Sequence, residues 1–298
     1  MDGSFGNLKL FAGEDAIPAD TPHDPPSWPP TDALPGGSNA DPIALANREL
    51  LRPPTYRAGH RDLEPFSDAW FDELERKRYS RHGAWLPAAL EFAKHPGESV
   101  LILGPGVGSD AIEYLRRESV VTVGTAEGDF PTVIRRNLAR HGLSAKFVPV
   151  GGPLLPFADG AFDIITWNAL HAPAPPSPEF VGELYRVLKP GGKVIGLIPA
   201  RYDIGVWQDV LLPLQRLYWR RPPDPTSGAK MTKRAVRAAF ARFDVHRVSK
   251  RHLRRGEMPH AWRVVPLFLL ERALGRVLVL KAFKPLSAAR TATQPVAA

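Results

Sequence analysis

The stretch VLILGPGVGSDAIEYL, residues 100–115, constrains this chain more than any other. Its opening apolar run suits a buried strand, Gly104, Gly106 and Gly108 break that run, and the chain resumes as a helix with apolar residues at helical spacing. A G-x-G-x-G turn lets backbone approach a ligand closely and points helix amides toward it. Ser109 stands where the dinucleotide fingerprint has its third glycine, which argues against a nicotinamide cofactor. Taken alone, the turn also suits a plain tight connection.

The chain beyond the turn decides the fold class. The pattern predicts a helix to Arg117, a strand over 120–124, a helix over 132–141 and strands over 145–150 and 162–168. A helix near 180–188, the turn KPGGK and the strand VIGLIP come next. Strands separated by helices of this length build βαβ units, so the expected architecture is α/β and doubly wound. In such a sheet, ligands bind beyond the carboxyl ends of the strands near the switch in strand order, which is where the glycine turn falls.

The flanks differ in character. Ten prolines crowd the segment from Met1 to Pro54, so residues 1–60 read as a disordered or loosely docked arm. Residues 61–96 read as a helical lid, with Ser67 capping a helix that lines up Trp70, Phe71 and Leu74. Residues 97–285 form the main domain and 286–298 a flexible tail. No run approaches the roughly 18 apolar residues that span a bilayer, and the start of the chain has no signal-peptide core, so the expected location is cytoplasmic. The absence of cysteine excludes disulfides, thiolate nucleophiles and cysteine-ligated zinc, and the histidine spacing suggests no metal site.

The glycine turn, LPFADGAFDIITWNALH and ELYRVLKPGGKVIGLIP together resemble the core of class I S-adenosylmethionine-dependent methyltransferases of the small-molecule and lipid type. The resemblance covers about residues 97–200. It implies a Rossmann-like seven-stranded sheet, mostly parallel, whose last strand, GRVLVLKAFKP, enters antiparallel beside the fifth. It also implies S-adenosylmethionine as cofactor, with Gly104, Pro105, Gly106 and Gly108 beneath its methionine part. By the same resemblance, Trp167 to His171, including Asn168, border the methyl group and the substrate, while KPGGK is structural.

Three acids common in that family are missing: Ile102, Thr125 and Gly151 stand in their places. Each loss removes a polar contact of about 1 to 3 kcal/mol. Asp110, in the first turn of the helix, and Glu127, just past the second strand, are the candidate replacements, with Leu154 or Leu155 against adenine. His171 is the candidate general base for a hydroxyl acceptor; a loop histidine bonded to nearby backbone is its plainer role. Tyr79 and His82 could reach in from the lid.

The net charge of +8 is local. Residues 230–255 hold ten Lys/Arg against Asp244 alone, which accounts for +9 and leaves about −1 elsewhere. A solvated face explains such a cluster, and so does contact with nucleic acid or an anionic membrane. The neighbouring stretch MPHAWRVVPLFLLERAL offers Trp262, Val265, Phe268 and Leu269 as one apolar face, for burial or for a lipid surface. Two function classes remain: an enzyme methylating a small-molecule or lipid-like acceptor, or a catalytically inactive methyltransferase-like binding or assembly module. RNA base methylation is a third, weakened because WNALHAP lacks the Pro-Pro-aromatic signature of amino methylation.

Overall fold

The computed structural model describes residues 41–51, 63–80, 82–206, 224–258, 262 and 264–286. The proline motifs DPPSWPP and LPGGSNADP, apart from Asp41 and Pro42, lie outside these residues, as does the tail beyond Leu286.

Seven strands form one sheet in the order β3-β2-β1-β4-β5-β7-β6. They are β1 (Ser99–Leu103), β2 (Val120–Thr125), β3 (Lys146–Pro149), β4 (Phe162–Asn168), β5 (Leu188–Pro199), β6 (Asp244–Arg251) and β7 (Val277–Phe283). The first five run parallel to one another, and β7 lies antiparallel between β5 and β6. Alternation along β1 feeds two cores: Val100 and Ile102 pack on one face of the sheet, Leu101 and Leu103 on the other. Helices α4 (Ser109–Leu115) and α5 (Pro131–Ala139) contribute Ile112, Tyr114, Ile134 and Leu138 to the first core. Helices α6 (Pro178–Val187) and α7 (Lys233–Ala239) supply Val181, Leu184 and Val236 to the second. Ile102, where an acid was expected by resemblance, is therefore a core residue, 3% exposed.

Upstream, α1 (Pro42–Glu49) and α2 (Asp68–Arg78) begin on side-chain caps. Asp41 accepts from Ile43 N at 2.9 Å, and Ser67 accepts from Trp70 N at 3.3 Å. α1 falls inside the segment read from composition as a loose arm, yet it buries Leu45, Ala46 and Leu50. Asp-Pro at its start and the apolar spacing of IALANRELL make a helix that the surrounding prolines mask. The last part of the segment read as a helical lid divides at Glu91, whose left-handed φ of 59° separates α3 (Leu86–Leu90) from a 3₁₀ turn at Phe92–Lys94. The Glu91 carboxylate there takes Lys193 of β5 and Lys281 of β7.

KPGGK does not precede the fifth strand; it lies inside it. β5 already pairs at Leu188 with Phe162, and the register then shifts so that Ile164 meets Lys193. The glycines form an irregularity in a strand that would otherwise have started later. The apolar helix near the C-terminus is also displaced. Pro266 caps α8 (Leu267–Leu274), so Leu274 is buried and Leu270 partly so, while Phe268 and Leu269 are 66% and 48% exposed. Of the two uses open to that face, burial fails for Phe268 and Leu269, because Leu267, Leu270 and Leu274, at i, i+3 and i+7 of α8, are the residues that turn to the core.

Behind β7 sits a second device. Arg276, 1% exposed, gives Nε to Glu257 at 3.1 Å and Nη1 to Asp203 at 3.3 Å, and Lys230 reaches Asp203 at 3.0 Å and also meets Asp224. These bonds tie the segments after β5 and β6 to the start of β7. Removing the cation takes one partner from each of two buried carboxylates, leaving Asp203 to Lys230 and Glu257 to the Arg254 amide, so Arg276→Met is expected to lower stability by about 3 kcal/mol in denaturant unfolding.

Candidate active site

The glycine turn leaves β1 between the ends of β2 and β4, at the switch in strand order. Gly104 has φ of 72°, and a side chain there would overlap the backbone oxygen of Asn168. Gly106 has φ of 60°, and a side chain there would overlap a carboxylate oxygen of Glu49. Both conformations are strained for other residues, and both positions are needed for close approach. Pro105 is buried and accepts from Gly108 N at 2.9 Å; Gly108 opens α4 against Ile134 of α5.

Glu49, at the end of α1, reaches into this turn. Its Oε2 accepts from Val107 N at 3.2 Å, and its Oε1 lies 3.4 Å from Arg78 Nε. Arg78 also forks onto Asp110, Nε to Oδ1 at 2.9 Å and Nη2 to Oδ2 at 2.6 Å, and donates from Nη1 to the Glu49 carbonyl. Tyr79 donates to Asp110 Oδ1 at 2.8 Å. Burial works against the Arg78 charge, but Asp110 and Glu49 outweigh it and hold its pKa above the ordinary value. Burial, only partly offset by Arg78 and reinforced by Asp110, pushes the Glu49 carboxyl upward. Asp110, expected at the cofactor, has both oxygens turned to Arg78 and Tyr79. Its role here is to anchor α2 over the turn.

On the other side, Asn168 stays beside Gly104, and its Oδ1 accepts from Leu170 N at 3.2 Å. Trp167 is a core residue packed on Phe180 and Phe240. His171 Nδ1 is hydrogen-bonded to Ser227 Oγ at 2.8 Å, in a hollow of about 130 Å³ shared with Arg48 of α1 and Asp224. Burial and then Arg48 lower its pKa to about 4, so the imidazole is neutral near pH 7. The structure thus brings the glycine turn and Asn168 together, with His171 three residues farther along.

The other expected residues lie on the loops beyond β2 and β3. Glu127 is exposed on the loop after β2, where Asp129 accepts from Ala126 N at 2.8 Å and shapes the turn. Leu154 is 70% exposed and lines a surface hollow with Glu183, Tyr185 and Arg186, whereas Leu155 is buried in the core beneath α6. Sequence reasoning missed Glu49, Arg48 and Arg78; the Asp-Pro cap before ANREL was the local sign of a helix able to present the first two.

The residues present fit a ligand carrying a carboxylate: the side-chain-free space at Gly106 and the Val107 amide already hold one, belonging to Glu49. Residues 100–192 match the family model described as a methyltransferase domain. The fold is that of the class I S-adenosylmethionine-dependent methyltransferases. S-adenosylmethionine is the cofactor that this family implies. Similar curated proteins include cycloartenol-C-24-methyltransferase of Arabidopsis thaliana, 29% identical over 46% of this chain and 41% of that protein. Demethylmenaquinone methyltransferase of Thermus thermophilus is 33% identical over 38% of this chain and 53% of that protein. The chain spans about half the length of the curated relatives it matches. A methyltransferase structure from Aquifex aeolicus aligns with a TM-score of 0.47 at 15% identity, covering 72% of this chain and 96% of that one.

The low His171 value carries a pH consequence. Unfolding returns this imidazole from about 4 to about 6.5, and His252, fully buried, from about 3. Below 6.5 the unfolded chain binds more protons than the folded one, so stability is expected to fall as pH drops from about 6.5 toward 4. Denaturant titrations across that range check this, and His171→Asn should flatten the slope.

Proposed function

We propose that this protein transfers a methyl group from S-adenosylmethionine to a small-molecule or lipid-like acceptor. The observation that carries the reading is the glycine turn at the strand-order switch, built to cradle a carboxylate inside a methyltransferase-domain match. The named acceptors of the relatives, a sterol and a quinone precursor, favour an apolar acceptor.

When bound, S-adenosylmethionine supplies a methyl group already activated on a sulfonium, so no protein nucleophile is required. The chain's own work is positioning. Gly104, Gly106 and Gly108 give backbone contact to the methionine part, Asn168 borders the same turn, and Glu127 is the proposed ribose ligand. His171, neutral and bonded through Nδ1, has its Nε2 buried beside Arg48 and would take a proton from a hydroxyl acceptor once α1 uncovers it. Its lowered pKa makes it a weak base while Arg48 covers it.

A second reading, a binding or assembly module without catalysis, is favoured by Ile102 in the core and by Glu49 in the turn. Calorimetry with S-adenosylmethionine and S-adenosylhomocysteine separates the two readings. Binding is expected; no heat and no thermal shift at millimolar ligand supports the module. Glu127→Ala should weaken binding by about 1 to 3 kcal/mol if its charged contact to ribose exists.

The basic segment divides in the folded chain. Lys230 pairs with Asp203 and Asp224, Lys250 donates to the Tyr202 and Ala273 carbonyls, Arg251 pairs with Glu271, and Arg254 donates to the Leu51 carbonyl. Arg234, Arg237, Arg242 and Arg247 are exposed. We assign any contact with nucleic acid or an anionic membrane to these four. Their replacement by Gln should abolish low-salt binding to RNA or anionic vesicles and leave cofactor affinity unchanged; no polyanion binding by the wild type makes the cluster a solvated face. Among the described residues, no helix is long and apolar enough to cross a membrane. A cytoplasmic location belongs to the same proposal.

A further inference from the structure

Glu49 is an unusual occupant for the turn. It is 3% exposed, its carboxylate overlaps the space where any side chain on Gly106 would go, and it accepts from Val107 N. Its carboxylate has the weaker of two holds on Arg78, one contact at 3.4 Å against the fork that Asp110 makes at 2.9 and 2.6 Å, while its carbonyl is bonded to Nη1. Two carboxylates thus share one guanidinium in a buried place, which leaves a surplus negative charge there. Burying that surplus is costly, and Glu49 bears the cost.

The amino-acid end of S-adenosylmethionine carries a carboxylate and an ammonium together. In place of Glu49 it offers the same group to Val107 N and Arg78, while its ammonium cancels the surplus charge. We propose that Val107 N–H, the open face of Gly106 and Arg78 form the subsite for the cofactor carboxylate, and that Glu49 fills this subsite when the cofactor is absent. The inference rests on the cofactor reading above.

The exchange has a mechanical side, because Glu49 does not act alone. Arg48, next to it on α1, lines the hollow in front of His171. α1 is held farther along by Arg254 Nη2 on the Leu51 carbonyl, at 2.8 Å. Release of the Glu49 carboxylate removes one tie between α1 and the turn, while the Glu49 carbonyl stays on Arg78 and the Leu51 carbonyl on Arg254, so cofactor entry loosens without detaching the helix end that carries Arg48 in front of His171. Glu49 lowers apparent affinity by the fraction of time it keeps the subsite filled. A subsite open one-tenth of the time weakens binding about tenfold.

The test compares S-adenosylhomocysteine with 5′-methylthioadenosine, the same nucleoside thioether without the amino-acid end, by calorimetry on the full chain. Glu49→Ala is expected to tighten S-adenosylhomocysteine by about tenfold while changing methylthioadenosine by less than about twofold. Arg78→Lys, which keeps the charge but loses the fork on Asp110, should weaken S-adenosylhomocysteine more than methylthioadenosine. Glu49→Gln preserves shape and carries the test if the alanine variant does not fold; it too should tighten S-adenosylhomocysteine selectively. Equal or weaker binding by the folded Glu49 variants overturns the inference, as does equal tightening of both ligands, which would make α1 a steric cover alone. If neither ligand binds wild type or variant, the cofactor reading itself fails and the inference goes with it.

Discussion

The arrangement of the mouth depends on one guanidinium. Arg78 is the last residue of α2, is 3% exposed, and can keep its charge in that position only because Asp110 meets it with both oxygens. That fork fixes where α2 ends relative to α4, and Tyr79 adds a hydroxyl to the same carboxylate. Once Arg78 is fixed, the Glu49 carbonyl and carboxylate have a partner, and α1 is drawn across the glycine turn. Asp110, a candidate replacement for the acids missing from the family pattern, becomes the foundation of the covering helices.

A second set of ions, with Asp203, Glu257 and Arg276 buried and Lys230 and Asp224 half-buried, forms the opposite wall. Arg276, Lys230, Asp203, Asp224 and Glu257 join the segments after β5 and β6 to the start of β7, so the edge beyond the fifth strand is held by charge pairs. His171 lies between the two walls, near Asp224 on one side and Arg48 on the other. Its lowered pKa reflects that enclosure, since burial comes first among the causes and the Arg48 charge second. The base candidate and the glycine turn are thus linked twice, through α1 and through the paired ends of β1 and β4.

Much of this fold was legible locally. FDIITWN became β4 over the expected residues, and Ser67 caps α2 as its position suggested. Val236 and Phe240 face the core with Arg234 and Arg237 outside, as helical spacing requires. The failures also have local causes. KPGG carries the chemistry of a turn, but pairing of Leu188 with Phe162 incorporates it in β5 as an irregularity. Proline density hid α1, and α8, starting after Pro266, turns Leu267, Leu270 and Leu274 inward instead of Phe268 and Leu269. In the basic cluster, composition counted ten charges without showing that Lys230, Lys250, Arg251 and Arg254 are engaged inside the fold.

By itself, the sequence determined the alternation of strands and helices, the glycine turn at the end of β1 and thus the side of the sheet where a ligand belongs. These depend on periods of two and 3.6 residues and on backbone freedom at glycine, all properties of neighbours along the chain. Tertiary structure alone decided that Asp110 faces Arg78, that Glu49 enters the turn and that Arg48 stands before His171. Arg78 and Asp110 are 32 residues apart, and Glu49 and Val107 are 58 apart. A charge carries no local mark of its partner. Only when burial removes water does each ion require one, and which partner is within reach is settled by how the helices pack on the sheet.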